Sequence, residues 1–178
     1  MTDRNNKLFL YEALELRAEL DARIKTLKDC LPETRQNRDR LSLLRGEDGI
    51  RRPSPDFDPA AARNTLHKLE FKRRKLNSAI QQANFSHLIE FEGDSINLNE
   101  ALETRKARNE QIGELHQQAV ASAYERVIYK EGRDIVESSE PSYTDSVEKL
   151  EQARLSFRIL NRLLRRASFE TSVNFQDE

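Results

Sequence analysis

The sequence predicts an all-α fold, an antiparallel four-helix bundle of two duplicated helical hairpins with pseudo-twofold symmetry and one short β-hairpin in a connection. Three observations lead there. Charged residues make up 34% of the chain, Gly and Pro number only 5 each, and Glu, Arg, Leu, Ala, Lys and Gln are prominent. That is the composition of long, exposed helices rather than sheets. Apolar residues recur at spacings of three and four in four separate segments. Two of those segments repeat the other two at a nearly constant offset.

The first helical segment is expected from about Leu8 to Leu44, broken or kinked at Pro32, whose ring clashes with the preceding turn. Leu10, Leu14, Leu20, Ile24, Leu27 and Leu31 build its apolar stripe. The stretch GEDGIRRPSPDFDP (46–59) is a loop by its Gly and Pro content, and it closes on a helix start with Asp58 as N-cap and Pro59 at the first helical position. The second helix runs to about Asn84, with a stripe of Leu66, Leu69, Leu76, Ile80 and Ala83. A connection over 85–96 has extended character around Leu88 to Phe91. Asn97 and Glu100 then have the spacing of a capping box for a third helix, which reaches about Tyr124. Val127 to Val136 reads as a small hairpin turning at Glu131-Gly132, and the loop SSEPSYTDS leads into a fourth helix over about Ser146 to Ser168.

The duplication is carried by EALELRAELDARIKTLK (12–28), which matches EALETRKARNEQIGELH (100–116) at seven of seventeen places without a gap. At a second, similar offset Leu66, Leu76, Asn77, Ala83, Phe85 and Phe91 fall on Leu150, Leu160, Asn161, Ala167, Phe169 and Phe175. The chain therefore reads as one domain, 1–178, of two copies: about 8–91 and about 97–175. A hairpin alone buries only one face of each helix, so the copies are expected to pack together. The repeated phenylalanines are expected to cap the bundle ends or to dock on another subunit.

The candidate site residues come from the same repeat. Arg17 and Arg105 follow Leu14 and Leu102 by three positions, which places both guanidinium groups on the apolar stripe. A charge there needs partners, and Glu12, Glu15, Glu100, Glu103, Asn77 and Asn161 are the candidates. Arg17, Arg105, Glu12, Glu100, Asn77 and Asn161 thus form a possible ligand site for a carboxylate or phosphate, against a purely structural Arg–Glu–Asn network that fixes helix register.

Several chemistries are disfavoured. A carboxylate-bridged di-iron centre in a bundle uses Glu-x-x-His, but the residues three before His67, His87 and His116 are Asn64, Asn84 and Gly113. Cys30 stands alone, so no internal disulfide or thiolate cluster is expected. No G-x-S-x-G, G-x-x-x-x-G-K or H-E-x-x-H occurs. No catalytic residue, metal or cofactor is expected, and an enzyme is the minority reading.

Charge is unevenly shared. In 60–82, Arg63, Lys68, Lys72, Arg73, Arg74 and Lys75 face one acid, Glu70; in 147–167, six basic residues face Glu148 and Glu151. The bland account is basic helices packed beside acidic ones; the sharper one is a surface for nucleic acid or anionic lipid. Phe71 and Phe157, the aromatics among these basic residues, both fit the apolar stripe, which disfavours a nucleic-acid face.

Three segments carry a family resemblance: LYEALELRAEL (10–20), IQQAN (80–84) and EGDSINLNEALETR (92–105). Together with YERVIYKEGRDI and LNRLLRRASF they resemble the septicolysin-like bacterial proteins, with Phe169 where that pattern has Trp. The resemblance covers most of the chain and implies a small, largely helical protein; its name also implies cytolysin-like membrane activity. Against lysis stand the absence of an export signal and of any 18-residue apolar stretch. The leading expectation is a non-enzymatic, cytoplasmic, self-associating (homo-oligomeric) helical protein that binds or scaffolds. A nucleic-acid or anionic-surface binder and a cytolysin-like protein are the alternatives.

Overall fold

A computed structural model describes residues 8–31, 53–130, 132–137 and 140–176. These residues are mostly helical, with four long helices and three two-stranded antiparallel ladders. The helices are α1 (Leu10–Cys30), α2 (Pro59–Ser86), α3 (Leu98–Ser122) and α4 (Tyr143–Glu170). The strands are β1 (Leu8–Phe9), β2 (Leu88–Phe91), β3 (Asp94–Asn97), β4 (Arg126–Lys130), β5 (Arg133–Glu137) and β6 (Ser172–Val173). No helix among the described residues is long and apolar enough to cross a membrane. Pro32, the expected helix beyond it and residues 46–52 of the 46–59 loop lie outside the described residues.

The chain divides into two compact units, Met1–Ile80 with Ser172–Glu178, and Gln81–Thr171. In the first, β1 pairs with β6 and α1 is tied to α2 by Arg73–Asp21 at 2.9 Å and Lys28–Glu70 at 2.7 Å. Its core holds Leu10, Ala13, Leu20, Ile24, Ala62, Leu76, Ile80 and Val173. In the second, β2 pairs with β3, α3 packs along α4, and the core holds Ile89, Phe91, Leu98, Ala101, Ala119, Leu150, Ala153, Leu160 and Ala167.

Helix starts follow local chemistry. Ala60 N–H donates to the Asp58 carboxylate at 2.8 Å, leaving Pro59, which has no N–H to satisfy, at the first position of α2. At α3 the Asn97 side chain accepts from Asn99 and Glu100 N–H, and Glu100 returns the contact to Asn97 N–H.

Three details differ from the sequence reading. Leu8 and Phe9 are strand, not helix, because their backbone pairs with Val173 and Ser172 near the far end of the chain. Asp94–Asn97 is likewise a strand, joined to β2 through a tight turn with Glu92 at φ 53° and Gly93 at φ 93°. The buried members of the repeated motif are Ala13 and Ala101, both 0% exposed, while Leu14 and Leu102 are half-buried. The line 10, 13, 17, 20, 24 faces inward, so the small alanine sits at its centre and the leucine flanks it.

The two strand registers match each other under the sequence offsets. Leu8 and Phe9 pair with Val173 and Ser172; their counterparts Ile96 and Asn97 pair with Ile89 and Leu88, the counterparts of Val173 and Ser172. In each unit, the strand that leads into the first helix of one copy is paired with the tail of the other copy.

Candidate functional site

The sequence-predicted residues fall into different roles. Glu12 and Glu100 are helix caps: Glu12 accepts Phe9 N–H at 2.7 Å and Glu100 accepts Asn97 N–H at 2.9 Å. Glu12 also accepts the Tyr11 hydroxyl at 3.2 Å, and that hydrogen bond raises the Tyr11 pKa. Arg17 is half-buried and its Nη1 reaches Asn77 Oδ1 at 3.5 Å, within the first unit. Arg105 is exposed and makes no hydrogen bond or ion pair among the described residues; Asn161 is half-buried and equally without one. The repeat therefore gives Arg17 and Arg105 unequal surroundings: at equivalent positions on the stripe, Arg17 has Asn77 beside it and Arg105 is exposed.

A different constellation is built in the Gln81–Thr171 unit. The β2–β3 turn projects Glu92 toward α3 and α4. Arg108 Nη2 on α3 donates to Glu92 Oε2 at 2.6 Å, and Ser156 Oγ on α4 donates to Glu92 Oε1 at 2.5 Å. Arg108 Nη1 is further fixed by Gln111 Oε1 at 2.9 Å, one turn along the same helix. These groups line a half-open cavity of about 300 Å³ together with Leu115, Lys149, Gln152 and Ala153. Leu115 and Ala153 make an apolar floor, Arg108 and Lys149 bring positive charge, and Glu92 brings one negative charge.

Two features set this place apart. Glu92 adopts positive φ at the first central position of a tight turn, where Asn, Asp or Gly cost less. The second feature is divergence between the copies. Under the repeat offsets, Arg108 stands where the first copy has buried Leu20, Ala153 where it has half-buried Leu69, and Ser156 where it has Lys72. The exchange puts a charged and a small residue where the first copy has two leucines. The sequence reading missed this site because it weighed positions the copies share; its signal lies where aligned positions differ in size and charge.

Among the described residues no group of three or more His, Cys, Asp or Glu is placed to hold a metal. Cys30 is a free, exposed thiol. Phe71, expected on the apolar stripe, is instead 55% exposed, with Lys75 Nζ 5.2 Å and Arg74 Cζ 5.9 Å from its ring centre. It lies outside the core because the buried line of α2 runs through Ala62, Leu76 and Ile80, leaving position 71 on the opposite side.

No known family model and no curated protein sequence matches the chain. In three dimensions it is similar to the crystal structure of a functionally unknown conserved protein from Corynebacterium diphtheriae, with a TM-score of 0.62 and 20% identity. That likeness spans 95% of this chain and 100% of the other, and at this identity what it shows is a shared fold.

Proposed function

We propose that the protein is a non-enzymatic, self-associating helical protein that works by binding or scaffolding. The observation that supports this reading is the β4–β5 ribbon. Val127 lies opposite Val136 on one face, which also carries Tyr129, and Ile128 lies opposite Ile135 on the other, so each face presents a cross-strand apolar pair. Val127, Ile135 and Val136 are exposed, and Tyr129, on the Val127 face, is 81% exposed. A two-stranded ribbon is marginal alone in water, and an exposed apolar surface of this kind favours cover by a second chain. We take the four helices to form one antiparallel bundle with pseudo-twofold symmetry, a reading supported by the matched registers of the exchanged tails. Light scattering of the full chain at micromolar concentration tests self-association. An oligomer that falls to monomer in Ile135→Lys/Val136→Lys is the expected result, and a monomeric wild type overturns it.

A second reading, a nucleic-acid or anionic-surface binder through 60–82 and 147–167, is favoured by one observation. Phe71 presents its ring on the surface beside Arg74 and Lys75, which gives the basic helix the aromatic platform that base stacking uses. Fluorescence polarisation with a single-stranded oligonucleotide at low salt tests it. Salt-sensitive binding weakened by Phe71→Ala supports it, and no binding removes it.

A further inference from the structure

We infer that the cavity lined by Glu92, Arg108, Lys149 and Ser156 binds a small, singly charged organic acid, independently of self-association. The inference begins from what the fold does without. The first copy carries buried Leu20 and half-buried Leu69 at the places of Arg108 and Ala153, so the repeat itself does not demand a charged group there. An ion pair that is only partly desolvated rarely stabilises more than the apolar packing it replaces.

The charges select the ligand's sign and valence. Arg108 and Lys149 against Glu92 leave one net positive charge facing the cavity. Glu92 already accepts from Arg108 and Ser156, and with its charge offset by Arg108 the remaining Lys149 charge disfavours an ammonium group. Lys149 has no carboxylate partner among the described residues, and Arg108 keeps N–H donors beyond the two it spends on Glu92 and Gln111. A carboxylate fits between them. A phosphate dianion would exceed the single positive charge and face Glu92 with uncompensated repulsion. Leu115 and Ala153 supply an apolar floor for the acid's hydrocarbon part, and a cavity of about 300 Å³ limits the ligand to a small one.

The test is amide-resolved NMR of the full chain titrated with sodium butyrate at low ionic strength, with ethyl phosphate and butylamine as comparators. Butyrate is expected to shift the resonances of Arg108, Gln111, Lys149 and Ser156 saturably, butylamine to leave them in place, and ethyl phosphate to bind more weakly. Lys149→Gln, at an exposed position, is expected to weaken butyrate binding about tenfold, the loss of one charge-assisted contact. Ala153→Leu, which restores the residue of the first copy, is expected to fill the cavity and abolish the saturable shifts. The inference is overturned if butyrate causes no saturable shift in the wild type. It is equally overturned if Lys149→Gln binds butyrate as well as the wild type does, or if ethyl phosphate binds at least as tightly as butyrate.

Discussion

Glu12 and Glu100 hold equivalent positions in two helices: each carboxylate accepts the backbone N–H of the residue three before it, Phe9 at 2.7 Å and Asn97 at 2.9 Å. The shared Glu-Ala-Leu of EALELR and EALETR is therefore a helix start used twice. Its carboxylate closes the first turn and its alanine lies at the buried centre of the stripe. Glu12→Ala and Glu100→Ala are each expected to cost about 0.5–1 kcal/mol in urea denaturation. Asn97→Ala, which removes the reciprocal acceptor for two N–H groups, is expected to cost about 1–2 kcal/mol.

Arg17 and Arg105 separate in the same assay. Arg17 reaches Asn77 only at 3.5 Å, a long contact, while its stem is half-buried. Arg17→Ala is expected to lower stability by about 0.5–1 kcal/mol, and Arg105→Ala to stay within about 0.5 kcal/mol of the wild type. An equal, larger loss in both would restore the structural network that the repeat suggested.

What could be read from the sequence was what is decided within a few residues. The Asp58-Pro59 start, the Asn97–Glu100 box and the turn at Gly132 (φ 79°) each depend on neighbours along the chain, and each stands where the residues placed it. β1 could not be read this way, because Leu8-Phe9 is extended only by virtue of Ser172-Val173, and helical periodicity runs on through Leu10 without a mark. The Glu92 cavity was hidden for a different reason. Its acid sits in the turn of FEGD, its arginine sits in a helix crowded with charge, and the small Ala153 in its lining looks like any other helix alanine.

The core is expected to resist change most at the repeated leucines. Leu76 and Leu160 occupy equivalent places and both are 0% exposed. Leu160→Ala and Leu76→Ala should each cost about 2–5 kcal/mol, from lost transfer energy plus the cavity left behind. Ala101→Leu should cost about 1–3 kcal/mol by overpacking. A smaller effect of Ala101→Leu would show that the neighbouring side chains give way there.

The Lys28–Glu70 pair between α1 and α2 contributes to acid sensitivity. The hydrogen bond from Lys28 holds the Glu70 carboxyl below its ordinary pKa, and the Lys28 charge adds to this. A group depressed in the folded state contributes stability that is fully present above its unfolded pKa and is lost as pH falls through the folded value. Thermal denaturation from neutral pH into the acid range should therefore show a shallower acid decline in Glu70→Gln than in the wild type. Identical declines would mean that the pair contributes nothing in solution, as exposed pairs often do.

The Glu92–Arg108 pair predicts the opposite of what a salt bridge usually suggests. Arg108 is 30% and Glu92 47% exposed at the side chain, so the pair has lost part of its hydration, while Glu92 also bears the strain of positive φ. Replacing both, Glu92→Gly with Arg108→Leu, relieves that backbone position and restores the first copy's leucine. The double variant is expected to unfold at a higher urea concentration, by about 0.5–1 kcal/mol, the gain seen when a site selected for function is returned to what packing favours. Each single change should be worse than the double, because it leaves one charge facing the cavity without its partner. If the double variant is instead less stable by more than about 1 kcal/mol, the pair is a structural clasp between the β2–β3 turn and α3, and the case for a ligand in that cavity loses its premise.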